Sequence, residues 1–361
     1  MGRLTAAFLV TLLGGGCVTT THDAASPYAS VRDVIPAHAA LEHGPSYAPL
    51  EEEPLFEMVP ARKDSDYTVF DVFIPSAGRN RQRDGMVTGE YFQSNAPGSR
   101  PLVVVLPIWG ASTYPPRTLQ RRLTRGPIHG LVNVLILDGA ANLFDWEGLA
   151  SVASEEAFDR LIRDGIETTW TTVADVRRLL DWAERRPETN GRMAIVGFSR
   201  GAMMGSLLMG IEPRLDTGVF LMGGADIHDV IATCPGQLGR VRKHVHEQFG
   251  WTADQYAQRL EEPLASINPA RWAGSVRPND VLYVEATRDK CVPESARQLL
   301  WSALGEPERI RIHAGHRRAF LSMTLLDFHS VTRRIKGFLE ERLLQGNPDA
   351  PAAVASSGSA R

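Results

Sequence analysis

No apolar run at the amino terminus is long enough to cross a bilayer: the stretch Leu4 to Leu13 falls well short of the roughly 20 residues that a membrane-spanning helix needs. Strong charge of either sign is missing too. A formal net charge of -3 over 361 residues excludes a polyelectrolyte. Lysines and arginines are scattered, with no aromatic-basic platform, which excludes a nucleic-acid-binding surface. There is no internal repeat, and cysteine is rare, with three in the chain. What is there suffices for a sizeable core: 43% hydrophobic and 22% charged residues fit one large α/β domain or two small ones.

Residues 1–17 carry a targeting pattern and are set apart from the fold. Arg3 supplies the positive start, Leu4 to Leu13 the apolar stretch, and Gly14-Gly15-Gly16 the small residues before Cys17. The pattern resembles a bacterial lipoprotein signal, cleaved before a cysteine that becomes lipid-modified. Gly14 stands where that signal usually has leucine, so the resemblance implies either a lipoprotein on the periplasmic side of a bacterial membrane or an ordinary secreted protein. Export fits the remaining cysteines, since Cys234 and Cys291 form an even pair in a compartment that permits disulfides. Residues 18–54 are rich in Ala, Pro, His, Ser and acids without periodicity and read as a flexible linker; residues 346–361 read as a disordered tail.

Between them, residues 55–345 alternate strands and helices. Tyr67 to Ile74 and Met86 to Phe92 read as two leading strands, whereas Leu102 to Leu106 and Val132 to Leu137 are continuous apolar runs typical of parallel strands covered on both faces. A helix is expected around Thr172 to Arg185, where Val173, Val176, Leu180 and Ala183 recur at helical spacing. Further strands are expected at 193–196, 218–222, 281–285 and 309–312, and a terminal helix at 325–344. This rhythm predicts a mostly parallel sheet with helices on both faces and ligands outside the carboxyl ends of its strands. The segment 225–279 interrupts it, with helices expected at Gly239 to Phe249 and Thr252 to Glu261, and reads as a cap over that edge.

The chain is organised around Gly197-Phe198-Ser199-Arg200-Gly201, which follows the apolar run Met193 to Val196. A strand, a sharp turn and a helix would hold Ser199 in a strained conformation with its hydroxyl above the sheet edge, the arrangement of a nucleophile elbow. Gly197 and Gly201 flank a turn too tight for a Cβ. The helix N-terminus favours developing negative charge. Asp289, in Thr287-Arg288-Asp289-Lys290-Cys291-Val292-Pro293, follows a strand end and suits a carboxylate that orients a histidine; Asp226 is the alternative acid. His316 follows the next strand end, on a loop, and completes the order Ser, Asp, His. His244 and His246 are two apart on an expected helix, so they point to different sides and no metal site is read there.

With the strand ending in Trp109-Gly110, Gly223-Gly224-Ala225-Asp226, Asp289-x-x-Val292-Pro293 and Gly315-His316, these residues resemble bacterial α/β-hydrolases of the dienelactone-hydrolase and acyl-esterase type over Tyr67 to Leu344. The resemblance implies a Ser199-Asp289-His316 triad, an oxyanion hole from the N–H groups of Arg200 and Ala111, and no cofactor. Trp109 replaces a histidine usual at its position, and Arg317 and Arg318 stand where an aromatic residue often follows the catalytic histidine. Trp109, Gly110, Phe198, Trp251 and Arg317 are candidates for the substrate pocket. The expected activity is cleavage of small-molecule carboxylic esters; a peptidase of the same fold and a catalytically silent envelope lipoprotein are the alternatives. Oligomeric state is not legible in the sequence.

Overall fold

A computed structural model of the protein describes residues 18–26, 56–77, 86–108, 128, 130–138, 143–324 and 329–344. Its strands are β1 (Thr20–Asp23), β2 (Glu57–Lys63), β3 (Tyr67–Pro75), β4 (Met86–Ser94), β5 (Arg100–Val105), β6 (Asn133–Leu137), β7 (Thr189–Phe198), β8 (Leu215–Leu221), β9 (Val281–Ala286) and β10 (Glu308–Ile312). They form one sheet in the order β1-β10-β9-β8-β7-β5-β6-β4-β3-β2. From β10 through to β6 every pairing is parallel. Antiparallel strands extend the sheet at both ends.

The continuous apolar runs are explained by what covers the sheet. Along β5, Leu102 and Val104 enter the core on one face, while Val103 and Val105 enter the core on the other. A strand covered on both sides has no use for alternating polarity. The first core is closed by α2 (Glu155–Glu184), α3 (Arg200–Ile211) and the segment 225–279; the second by α8 (His316–Thr324) and α9 (His329–Leu343). The remaining helices are α1 (Trp146–Leu149), α4 (Ile227–Thr233), α5 (Gln237–Phe249), α6 (Ala253–Leu264) and α7 (Glu294–Ala303).

Several expectations are corrected. The helix placed at 172–185 runs for 30 residues from the Ser154 N-cap, because Phe158, Ile162, Gly165 and Thr169 prolong its buried stripe. Gly165 belongs there for a steric reason, since a Cβ would overlap the Phe144 ring. The terminal helix expected at 325–344 is α9, His329–Leu343, and a further helix not expected there, α8, precedes it; residues 325–328 lie outside the described residues. The linker expected over 18–54 does not begin at residue 18: Thr20–Asp23 pairs antiparallel with β10, Thr20 opposite Ile312 and Asp23 opposite Arg309. Asp23 holds the strand in place by accepting hydrogen bonds from Arg309 Nε at 3.2 Å and Arg311 Nη2 at 2.9 Å.

Candidate active site

Because β5, β7, β8, β9 and β10 are parallel, their carboxyl ends meet along one edge, and the proposed catalytic residues follow three of them. Ser199 follows β7 with φ 51° and ψ −116°, a backbone conformation that L-residues rarely adopt, and its N–H donates to Leu221 O on β8 at 2.7 Å. The turn is locked by its glycines. A Cβ on Gly197 would collide with the Gly201 carbonyl, and one on Gly201 would lie 2.6 Å from Pro107 O. The second contact also shows that the chain leaving β5 runs directly beside the elbow.

Asp289 follows β9. Its side chain is fully buried, and Oδ1 accepts from the N–H groups of Cys291 at 2.8 Å and Val292 at 3.1 Å. Its Oδ2 accepts from His316 Nδ1 at 2.5 Å. A histidine that donates from Nδ1 presents Nε2 as its free base. His316 opens helix α8 instead of lying on a loop, and this placement brings Phe320 into contact one turn later. The Phe320 ring meets His316 edge-on, centroids 5.0 Å apart, and lies 5.8 Å from the ring of Phe198. A chain of rings therefore connects the residue before Ser199 to His316. Phe320 supplies the aromatic neighbour that Arg317 and Arg318 do not; its separation of four residues from His316 was the available signal.

The alternative acid has another partner. Asp226 stands at the N-cap position of α4 without capping it through its side chain; its Oδ1 accepts from Asn268 Nδ2 at 2.9 Å, while Asn268 Oδ1 accepts from the Asp226 N–H at 3.2 Å. That reciprocal pair ties the two ends of the insertion together. Cys234, at the end of α4, is disulfide-bonded to Cys291, two residues beyond Asp289.

Arg200, the first residue of α3, is largely enclosed, and among the described residues its guanidinium has no hydrogen-bond or ion-pair partner. Burial alone lowers its pKa to about 10. Beside it lies a cavity of about 60 Å³, lined by Phe144, Trp146, Met203, Met204, Val230 and Ile267 among others. The insertion supplies part of this wall, over the outer face of the elbow helix. Trp251 is not in it: buried against Phe158, its indole Nε1 donates to Glu155 Oε1 at 3.3 Å and Arg259 packs over its ring, so it fixes the insertion onto α2. Phe198 is buried in the second core, and Arg317 is exposed. Trp109, Gly110, Ala111 and Cys17 lie outside the described residues. Met222 was not singled out in the sequence; it is buried with φ 57° at the end of β8 and its N–H donates to Val284 O at 2.6 Å.

His244 and His246 are spent on the backbone carbonyls of Val152 and Trp251. Among the described residues there is no group of three or more His, Cys, Asp or Glu side chains arranged to hold a metal ion.

The sequence model of the X-Pro dipeptidyl-peptidase (S15) family matches residues 162–321. Acetyl xylan esterase from Paenibacillus sp. R4 superposes with a TM-score of 0.56 at 16% identity, covering 84% of this chain and 99% of its own. Acetyl xylan esterase 1 from Thermoanaerobacterium sp. JW/SL YS485 superposes with a TM-score of 0.51 at 14% identity, covering 86% and 96%. No curated protein matches the chain in sequence. At these identities the structural likeness is one of fold, and the chain has the α/β-hydrolase fold that its motifs implied.

Proposed function

We propose that this α/β-hydrolase-fold protein is an exported serine hydrolase that cleaves carboxylic esters through an acyl-enzyme. The observation that carries the reading is the Asp289–His316 pair standing at the same sheet edge as a serine held at positive φ. In this scheme Ser199 Oγ attacks the ester carbonyl and passes its proton to His316 Nε2, and Asp289 stabilises the imidazolium. The N–H groups of Arg200 and Ala111 receive the oxyanion. Collapse breaks the bond to the alcohol, which leaves with the proton from His316. Water then attacks the acyl-enzyme carbonyl and gives a proton to His316; the bond to Ser199 Oγ breaks, Oγ takes that proton, and the carboxylic acid leaves.

The apolar cavity that the side chain of Arg200 lines, the residue after Ser199, is the candidate acyl site, and its volume of about 60 Å³, room for roughly four to six water-sized groups, suits a short acyl group. The two solved structures described above are acetyl xylan esterases, a short-acyl activity that agrees with this choice. Export is supported by residues 1–17 and by the Cys234–Cys291 bond.

One observation favours a second reading. The match to the X-Pro dipeptidyl-peptidase family over 162–321 spans the elbow, Asp289 and His316, so a peptidase acting through the same triad is the competing activity. Rates on p-nitrophenyl acetate, butyrate, octanoate and decanoate, set beside those on Gly-Pro- and Ala-Pro-p-nitroanilide, separate the two. The ester reading expects turnover that is highest on the two short esters. Dominant turnover of the prolyl anilides would replace it, and no turnover or serine labelling at all would favour a silent envelope lipoprotein.

A further inference from the structure

The direction of β1 decides which face of the domain an anchor at Cys17 would present. Because β1 runs antiparallel to β10, its first residues lie at the carboxyl end of β10, the edge that carries His316. The register continues past the strand: the His313 N–H donates to Thr19 O at 2.8 Å, and Val18 packs on the second core. Cys17 is thus two residues from a backbone bond to His313, which is itself three residues before His316. At about 3.8 Å between consecutive Cα atoms, the two steps from Thr19 back to Cys17 cover at most about 8 Å. Strand β10, five residues long, spans about 17 Å at about 3.3 Å per residue, so the opposite edge of the sheet lies beyond that reach. The polar stretch expected to be a tether falls after β1, not between Cys17 and the domain.

Around the ends of β9 and β10, the part of this edge nearest Thr19, the surface is cationic. Arg288 and Lys290 on the loop after β9, and Arg317 and Arg318 at the start of α8, are all exposed, and none has an ion-pair partner among the described residues. The two segments abut, with the Arg288 N–H donating to Ala314 O at 3.0 Å. Within residues 287–292 and 313–324 the one carboxylate is Asp289, which is buried and bound to His316. Four exposed positive charges beside the point where an acyl chain would leave are complementary to an anionic bilayer surface.

From these two observations we infer that the mature protein lies with its active-site edge against an anionic phospholipid membrane, held there by acylated Cys17 and by Arg288, Lys290, Arg317 and Arg318, so that substrate enters along the membrane interface. The anchor rests on the lipoprotein reading given above; the cationic patch is independent of it.

The test uses the full-length protein matured in its bacterial host. Mass analysis of its amino-terminal peptide reports acylation of Cys17, and an unmodified cysteine would overturn the anchor. Hydrogen exchange is then compared on phosphatidylglycerol-rich and on phosphatidylcholine vesicles. On the anionic vesicles, amides of 287–292 and 313–324 should slow several-fold while those of 186–191, at the far end of β7, do not change. Equal exchange at both edges, or protection of the far edge, would overturn the orientation. The triple variant Arg288→Glu, Lys290→Glu, Arg318→Glu, with its fold checked by circular dichroism, should lose that protection and bind anionic vesicles at least ten-fold more weakly in a form lacking residues 1–17; undiminished binding would remove the patch from the account. Fluorophosphonate labelling of Ser199 in detergent reports separately on the catalytic reading.

Discussion

Asp289 and His316 stand 27 residues apart in the chain and share a 2.5 Å hydrogen bond, from His316 Nδ1 to Asp289 Oδ2. The other carboxylate oxygen is held by two backbone N–H groups, so the acid's position does not depend on the histidine alone. Asp226 has no such relationship. Asp289→Asn is therefore expected to lower kcat by about 10³- to 10⁴-fold, because an amide in that place no longer selects the tautomer with Nε2 free. Asp226→Asn should act mainly on stability, through the pair with Asn268. Steady-state kinetics of both variants on one ester check the assignment, and a silent Asp289→Asn would reverse it.

The disulfide joins the insertion to the acid loop. Its ends are 57 residues apart, and a crosslink closing a loop of that length contributes roughly 4 kcal/mol in the chain-entropy picture, less where the native state is strained. Reduction, or the double variant Cys234→Ser, Cys291→Ser, should loosen the insertion first. KM should change at denaturant concentrations where the far-ultraviolet circular dichroism of the sheet is still native. Loss of both signals together would show that the bond supports the whole domain.

Arg200 makes an opposite prediction about stability. Burial lowers the pKa of its guanidinium from the usual arginine range to about 10, with no partner among the described residues. A base held below its unfolded value binds its proton more weakly in the folded state, so the charge costs stability at every pH below about 10, and the cost fades only as pH climbs from there toward the ordinary arginine value. Arg200→Met keeps the length of the side chain and suits the apolar cavity. It should raise the Tm by a similar amount at pH 6 and pH 9. A lower Tm in thermal unfolding would show that the charge is compensated.

The parts of this molecule that were legible in the sequence are those whose causes are local. Gly197, Ser199 and Gly201 announce the elbow because the turn itself demands glycine, and Asp289 and His316 are found because each follows an apolar run within a few residues. What was not legible depends on distant partners. Thr20–Asp23 is four polar residues with no strand signal of its own, and it becomes a strand by pairing with β10 and by setting Asp23 against Arg309 and Arg311, 286 and 288 residues away. The first half of α2 hid behind Gly165 and Thr169, small residues whose burial is explained only by Phe144 and the insertion. Trp251 looked like a pocket residue because it sits in the insertion, but its burial against Phe158 was not readable from either residue alone.

The central claim is that Ser199 is an activated nucleophile, and active-site labelling tests it most directly. The protein should react covalently with a fluorophosphonate, and peptide mapping should place the adduct on Ser199. Ser199→Ala should abolish labelling and ester turnover while leaving the circular dichroism and Tm close to those of the parent, since the hydroxyl lies outside the core. An adduct on another serine, or an alanine variant that still turns over ester, would contradict the account.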